Sequence, residues 1–146
     1  MRVMVLVKAT DWSEAGPAPT AEMGPMFEAM GRFNEELAAA GVLKAGEGLK
    51  PSSTGKRVVQ GGPERRVEDG PFAPAEAQVA GFWIWEVRDM DEALSWARRC
   101  PETMPGGGVL ELRPLFETED FGEAVSPELV QMENELRERL AGADRT

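Results

Sequence analysis

Two periodicities divide the chain. Between Arg2 and Ala9 apolar residues occupy consecutive positions: Val3, Val5 and Val7 point to one side, and Met4, Leu6 and Lys8 to the other. A strand that is apolar on both faces needs cover on both. Asp11 to Pro19 reads as a loop, broken by Gly16-Pro17 and a further proline. Met26, Met30, Phe33, Leu37 and Ala40 then recur at helical spacing, with Pro25 suited to a first helical position and Gly41 to a stop. Val42 to Leu49 predicts a short strand. Lys56 to Gln60 and Arg65 to Glu68 predict a hairpin turning at Gly61-Gly62-Pro63. Gly81 to Arg88 predicts the most hydrophobic strand, with Trp83 and Trp85 on one face and Phe82 and Ile84 on the other. Asp89 caps a helix with acids in its first turn and Arg98-Arg99 in its last, ending at Cys100-Pro101. Val109 to Phe116 predicts the final strand.

This order predicts an α+β fold of ferredoxin-like β-α-β-β-α-β type, with a hairpin insertion and right-handed β-α-β connections. Each helix stripe covers one sheet face. The other face predicts a homodimer in which two sheets pack face to face. The boundaries read as a domain over 1–116 and an acidic segment with an appended helix over 117–146. From Glu117 onward there are nine acidic and three basic residues. Ser126-Pro127-Glu128 starts a helix whose stripe is Leu129, Met132, Leu136 and Leu140. Glu133–Arg137 and Glu135–Arg139 are spaced to pair along it. A helix of this length is marginal alone, so it is expected to pack, within the dimer or on a third protein.

Composition narrows the chemistry. The chain has 146 residues, a net charge of −10, one cysteine, no histidine and no tyrosine. Histidine-based nucleophilic catalysis and His-rich metal sites are excluded, which leaves carboxylates, lysines, arginines and backbone groups. No cofactor and no metal is expected. The acidic balance argues against a nucleic-acid partner. The run Val3–Val7 is far too short to span a membrane or to form a signal-peptide core, so a cytoplasmic location is expected.

A further set of residues stands in an ordered string: Gly46-Glu47-Gly48-Leu49-Lys50-Pro51, Asp69-Gly70-Pro71-Phe72, Glu76, Gly81-Phe82, Asp91-Glu92-Ala93, Trp96-Ala97, Arg99-Cys100-Pro101 and Val109-Leu110-Glu111-Leu112-Arg113-Pro114. The string resembles the YCII-related family, in particular its DGPF-domain branch. The resemblance implies a dimeric α/β barrel. It also implies, through the frequent company of such proteins with extracytoplasmic-function sigma factors, a regulatory setting. The His-Asp pair of some relatives cannot be carried over to a chain without histidine.

Five residues are candidates for ligand binding: Lys8, Asp69, Phe72, Glu86 and Arg113. Asp69 is the leading catalytic candidate, as a base or ligand at a cleft mouth; the alternative is an Asx turn. Lys8, Glu86, Glu111 and Arg113 are charges within apolar strands. They form a polar cleft if they converge, and otherwise an exposed edge or a structural pair between Glu111 and Arg113. Phe72 and Trp12 either line a pocket or plug the core. Cys100 follows two arginines that could activate its thiol, or is a small packed residue. Gly106-Gly107-Gly108 precedes a strand, so a phosphate loop fails on context. Two functions remain: a barrel that binds a small molecule, and a non-catalytic accessory protein acting through protein contacts.

Overall fold

The structure, a computed structural model, describes residues 1–143. Two compact units, Met1–Leu115 and Phe116–Thr146, divide the chain. The first contains six strands: β1 (Arg2–Lys8), β2 (Leu43–Gly48), β3 (Lys56–Val59), β4 (Arg66–Asp69), β5 (Val79–Glu86) and β6 (Leu110–Pro114). Its helices are α1 (Asp11–Glu14), α2 (Gly24–Ala39) and α3 (Met90–Arg99). The second unit carries α4 (Pro127–Ala143).

Four strands form one antiparallel sheet in the order β2-β5-β1-β6, and β3 pairs only with β4. Strands adjacent in the sheet are thus not adjacent in sequence, because α2 and α3 each carry the chain across it. This is a mixed α+β architecture consistent with a ferredoxin-like fold, with β3–β4 as the inserted hairpin.

Register sorts every strand residue to a face. Val3 and Val5 lie opposite Trp85 and Trp83, and opposite Pro114 and Leu112 on the other side. These residues point toward the helices. Phe33 and Leu37 of α2 and Ala93 of α3 complete the core. Phe33 meets Trp83, Trp85 and Trp96 edge-on, at centroid distances of 6.1, 6.3 and 6.4 Å. Trp85 is fully buried and its Nε1 donor finds no acceptor among the described residues, which costs about 1–3 kcal/mol. Met4, Leu6, Phe82 and Ile84 point to the opposite face and are only partly covered.

The expected loop at Asp11 begins instead with α1. Thr10 and Ser13 cap it reciprocally: Thr10 Oγ1 accepts from the Ser13 amide at 3.3 Å, and Ser13 Oγ from the Thr10 amide at 2.9 Å. The last strand is shorter than predicted at both ends. β5 starts two residues earlier, at Val79, where Lys8 pairs with it past a register shift. In α4, Ser126 Oγ accepts from the Leu129 amide at 3.2 Å, as its sequence implies. Arg137 pairs with Glu117 at 3.9 Å in place of Glu133. Leu129, Met132, Leu136 and Leu140 are all exposed. Among the described residues no helix is long and apolar enough to cross a membrane.

The Asp69–Phe72 segment is held by backbone contacts. The Gly70 amide donates to Gly55 O at 3.0 Å, and the Phe72 amide to Ser52 Oγ at 2.9 Å. Ser52 is anchored in turn to the Glu14 carboxylate through its amide, at 3.0 Å, and its hydroxyl. A Cβ on Gly70 would stand 1.7 Å from Ser52 O, so no larger residue fits without moving backbone. Gly70→Ala is therefore expected to destabilise by about 1–3 kcal/mol or more. Gly31→Ala, in open space on α2, is expected to stabilise by about 1 kcal/mol. Urea denaturation of both variants checks the opposite signs.

Candidate functional site

The glycines of β2 and β5 leave a hollow beneath α2. The cavity, about 420 Å³, is bounded by Met30 and Asn34 of α2, Leu43 and Gly46–Gly48 of β2, Gly81–Trp83 of β5, and Thr103 and Met104. Its size and mainly apolar wall with a few polar groups are those of a small-molecule site. Gly46 permits the close approach of β2: a Cβ there would lie 2.8 Å from Trp83 Cδ1.

Asn34 is a polar group in this wall with a fixed partner. Trp83 Nε1 donates to Asn34 Oδ1 at 2.9 Å. An indole N–H can only donate, so the amide oxygen must face it, which leaves the amino group as a further donor. Glu47 and Thr103 also line the cavity. The arrangement can orient a ligand that is largely apolar and carries at least one hydrogen-bond acceptor.

The five residues singled out from the sequence do not form one site. Lys8 lines a second cleft of about 450 Å³ with Asp11, Glu76 and Glu111. Arg113 reaches Glu111 at 3.6 Å, but the pair is exposed, with side-chain accessibilities of 70% and 44%, because β6 is an edge strand. Glu86 lies at the other end of β1 and faces the Met1 amino group at 3.9 Å. Asp69 forms neither an isolated base nor an Asx turn; its carboxylate pairs with Lys56 across the hairpin. Phe72 is half-buried outside the core cluster, with the Arg57 guanidinium 3.8 Å above its ring centroid. Among the described residues no group of His, Cys, Asp or Glu is arranged to hold a metal ion.

Burial decides the state of Cys100. It pushes the thiol up to about 11. The packed-residue reading is the one the structure carries.

A model of the YCII-related domain matches residues 1–119, and the chain belongs to that family. An uncharacterized protein of Rhizobium meliloti (strain 1021) is 36% identical over 76 residues, which is 52% of this chain and 61% of that protein. The chain thus spans less than two thirds of that relative. Among solved structures, 5-chloro-2-hydroxyhydroquinone dehydrochlorinase from Burkholderia phenoliruptrix AC1100, in complex with 2,5-dihydroxybenzoquinone, aligns with a TM-score of 0.45 and 16% identity. That alignment covers 82% of this chain and 98% of the other.

Two outcomes follow. Asn34→Ala strands the Trp83 donor and is expected to cost about 1–3 kcal/mol, whereas Asn34→Asp keeps the acceptor and is expected to cost less; chemical denaturation ranks them. Native Cys100 should react slowly with iodoacetamide at pH 8 and accelerate only as pH approaches 11, since a raised pKa keeps the thiolate scarce below it. Fast labelling at pH 8 would contradict its burial.

Proposed function

We propose that the protein binds a small, largely apolar molecule in the cavity beneath α2, with Asn34 as the orienting donor. The observation that carries this reading is the Trp83–Asn34 hydrogen bond at 2.9 Å, which fixes the amide before any ligand arrives. A preorganised donor loses little freedom on binding. Within the YCII-related family we place the chain in the DGPF branch on its Asp69–Phe72 run, and we read its setting as cytoplasmic. A thermal-shift screen against a metabolite library should yield ligands that stabilise the wild type. Asn34→Asp should abolish that stabilisation, because the amide donor becomes an acceptor. Equal stabilisation of both proteins would remove Asn34 from the site.

We further propose a homodimer through the open sheet face. Met4, Leu6, Phe82 and Ile84 make an apolar centre there, with Arg2, Glu86, Glu111 and Arg113 around it. An apolar core with a charged rim is the anatomy of a protein interface. The pair Arg113–Glu111, exposed in one chain, would be shielded at such a rim. Light scattering should give twice the chain mass of 15.9 kDa. Ile84→Lys should give the single-chain mass with an unchanged circular dichroism spectrum. A monomeric wild type would reject the dimer.

The exposed stripe of α4 supports a second reading, in which the protein is an accessory factor that acts through protein contacts. Deleting residues 126–146 should lower stability or solubility if the stripe packs within the dimer. A truncated protein that stays dimeric, soluble and equally stable would favour an external partner, such as a component of a sigma-factor pathway.

A further inference from the structure

Arg57 occupies an unusual position for an arginine in so acidic a chain. Its cross-strand neighbour in the hairpin is Glu68, the obvious partner for an ion pair. Glu68 instead pairs with Arg66 at 3.4 Å, and the Arg57 guanidinium carbon lies over Phe72, 3.8 Å from the ring centroid. Its remaining contact is a long one, 3.5 Å, to Gln78 Oε1. The nearby carboxylates are engaged elsewhere: Asp69 by Lys56, and Glu14 by Ser52.

Arg57 and Phe72 line a cleft of about 470 Å³. Lys50 contributes the only other charge on its wall, and Leu49, Pro51 and Val79 contribute apolar surface. Among the described residues no carboxylate lines the cleft, although acids outnumber bases in the chain by 26 to 16. Among the described residues neither cation has a carboxylate partner. Stacking on an aromatic ring holds the planar guanidinium fork while leaving its in-plane donors available, which suits a bidentate acceptor.

We propose that this cleft is a binding site for a small organic carboxylate, with Arg57 gripping the carboxylate, Lys50 adding charge, and Phe72 and Leu49 receiving the apolar body. It is separate from the cavity beneath α2 and does not depend on it. The cleft also gives the Asp69–Phe72 segment a role: its backbone contacts with Ser52 hold Phe72 where Arg57 can stack.

The test is a residue-resolved NMR titration of the full chain with benzoate, neutral benzamide and inorganic phosphate. Benzoate should move the resonances of Lys50, Arg57 and Phe72 saturably, and benzamide should not. Arg57→Gln should weaken benzoate about tenfold or more, and Arg57→Lys less so. Arg57 is exposed, so both variants should fold normally. Phosphate binding without benzoate would overturn the carboxylate assignment. Equal response to benzoate and benzamide would leave an apolar cleft with no anion site. No response at these residues to any of the three would reject the proposal. Shifts confined to residues around Asn34 would reject it while leaving the α2 cavity reading intact.

Discussion

Everything in the first unit depends on how Phe33 packs against Trp83 and Trp85. The two indoles stand two residues apart on β5, so the strand's alternation places them on one face, with centroids 5.7 Å apart. Phe33 comes down on both from α2. That contact fixes the rotation of α2 on the sheet. Asn34, the next residue, is thereby brought to the Trp83 nitrogen, and Met30, one turn earlier, to the cavity wall. The core thus sets the geometry of the candidate site directly, and the glycines of β2 and β5 leave the space that the helix then roofs.

The same sheet has a second face with different physics. Its apolar residues are half-covered and its charges stand at the edges. Within Met1–Leu115 the buried core cluster lies on the helix side alone. The proposed dimer and the proposed ligand sites are therefore distributed over different surfaces: one on the open face, one beneath α2, and one at the base of the hairpin.

Much of the fold was legible in the residues. The double-sided apolar runs at Val3–Val7 and Phe82–Val87 marked the two central strands, because a strand apolar on both faces lacks the alternation of a surface strand. The stripe through Met30, Phe33 and Leu37 marked α2. The short helix α1 is masked in the sequence, since Gly16 and the prolines after it signal a loop; Thr10 and Ser13 are the available cue. The site was much less legible. Charges were the natural suspects, yet Lys8, Glu86 and Arg113 are spread along strands whose ends lie far from one another. The cavity is lined mainly by apolar residues and glycines around a neutral amide, none of which carries a chemical signature. Gly46 within a strand was the one hint, as a glycine there marks a close approach. Asp69 and Phe72 stood out as a motif, but the reason for that spacing, the contact of Gly70 with Ser52 O, requires two distant segments to be brought together.

The central claim is that the Trp83-locked amide of Asn34 receives a ligand beneath α2. A crystal structure of the protein with the strongest stabiliser from a metabolite screen tests it most directly. The ligand is expected in the cavity between Met30, Trp83 and Met104, with an acceptor atom within hydrogen-bond distance of Asn34 Nδ2 and the Trp83–Asn34 bond intact. A ligand seated instead among Lys8, Asp11 and Glu111, with the cavity beneath α2 unchanged, would contradict it.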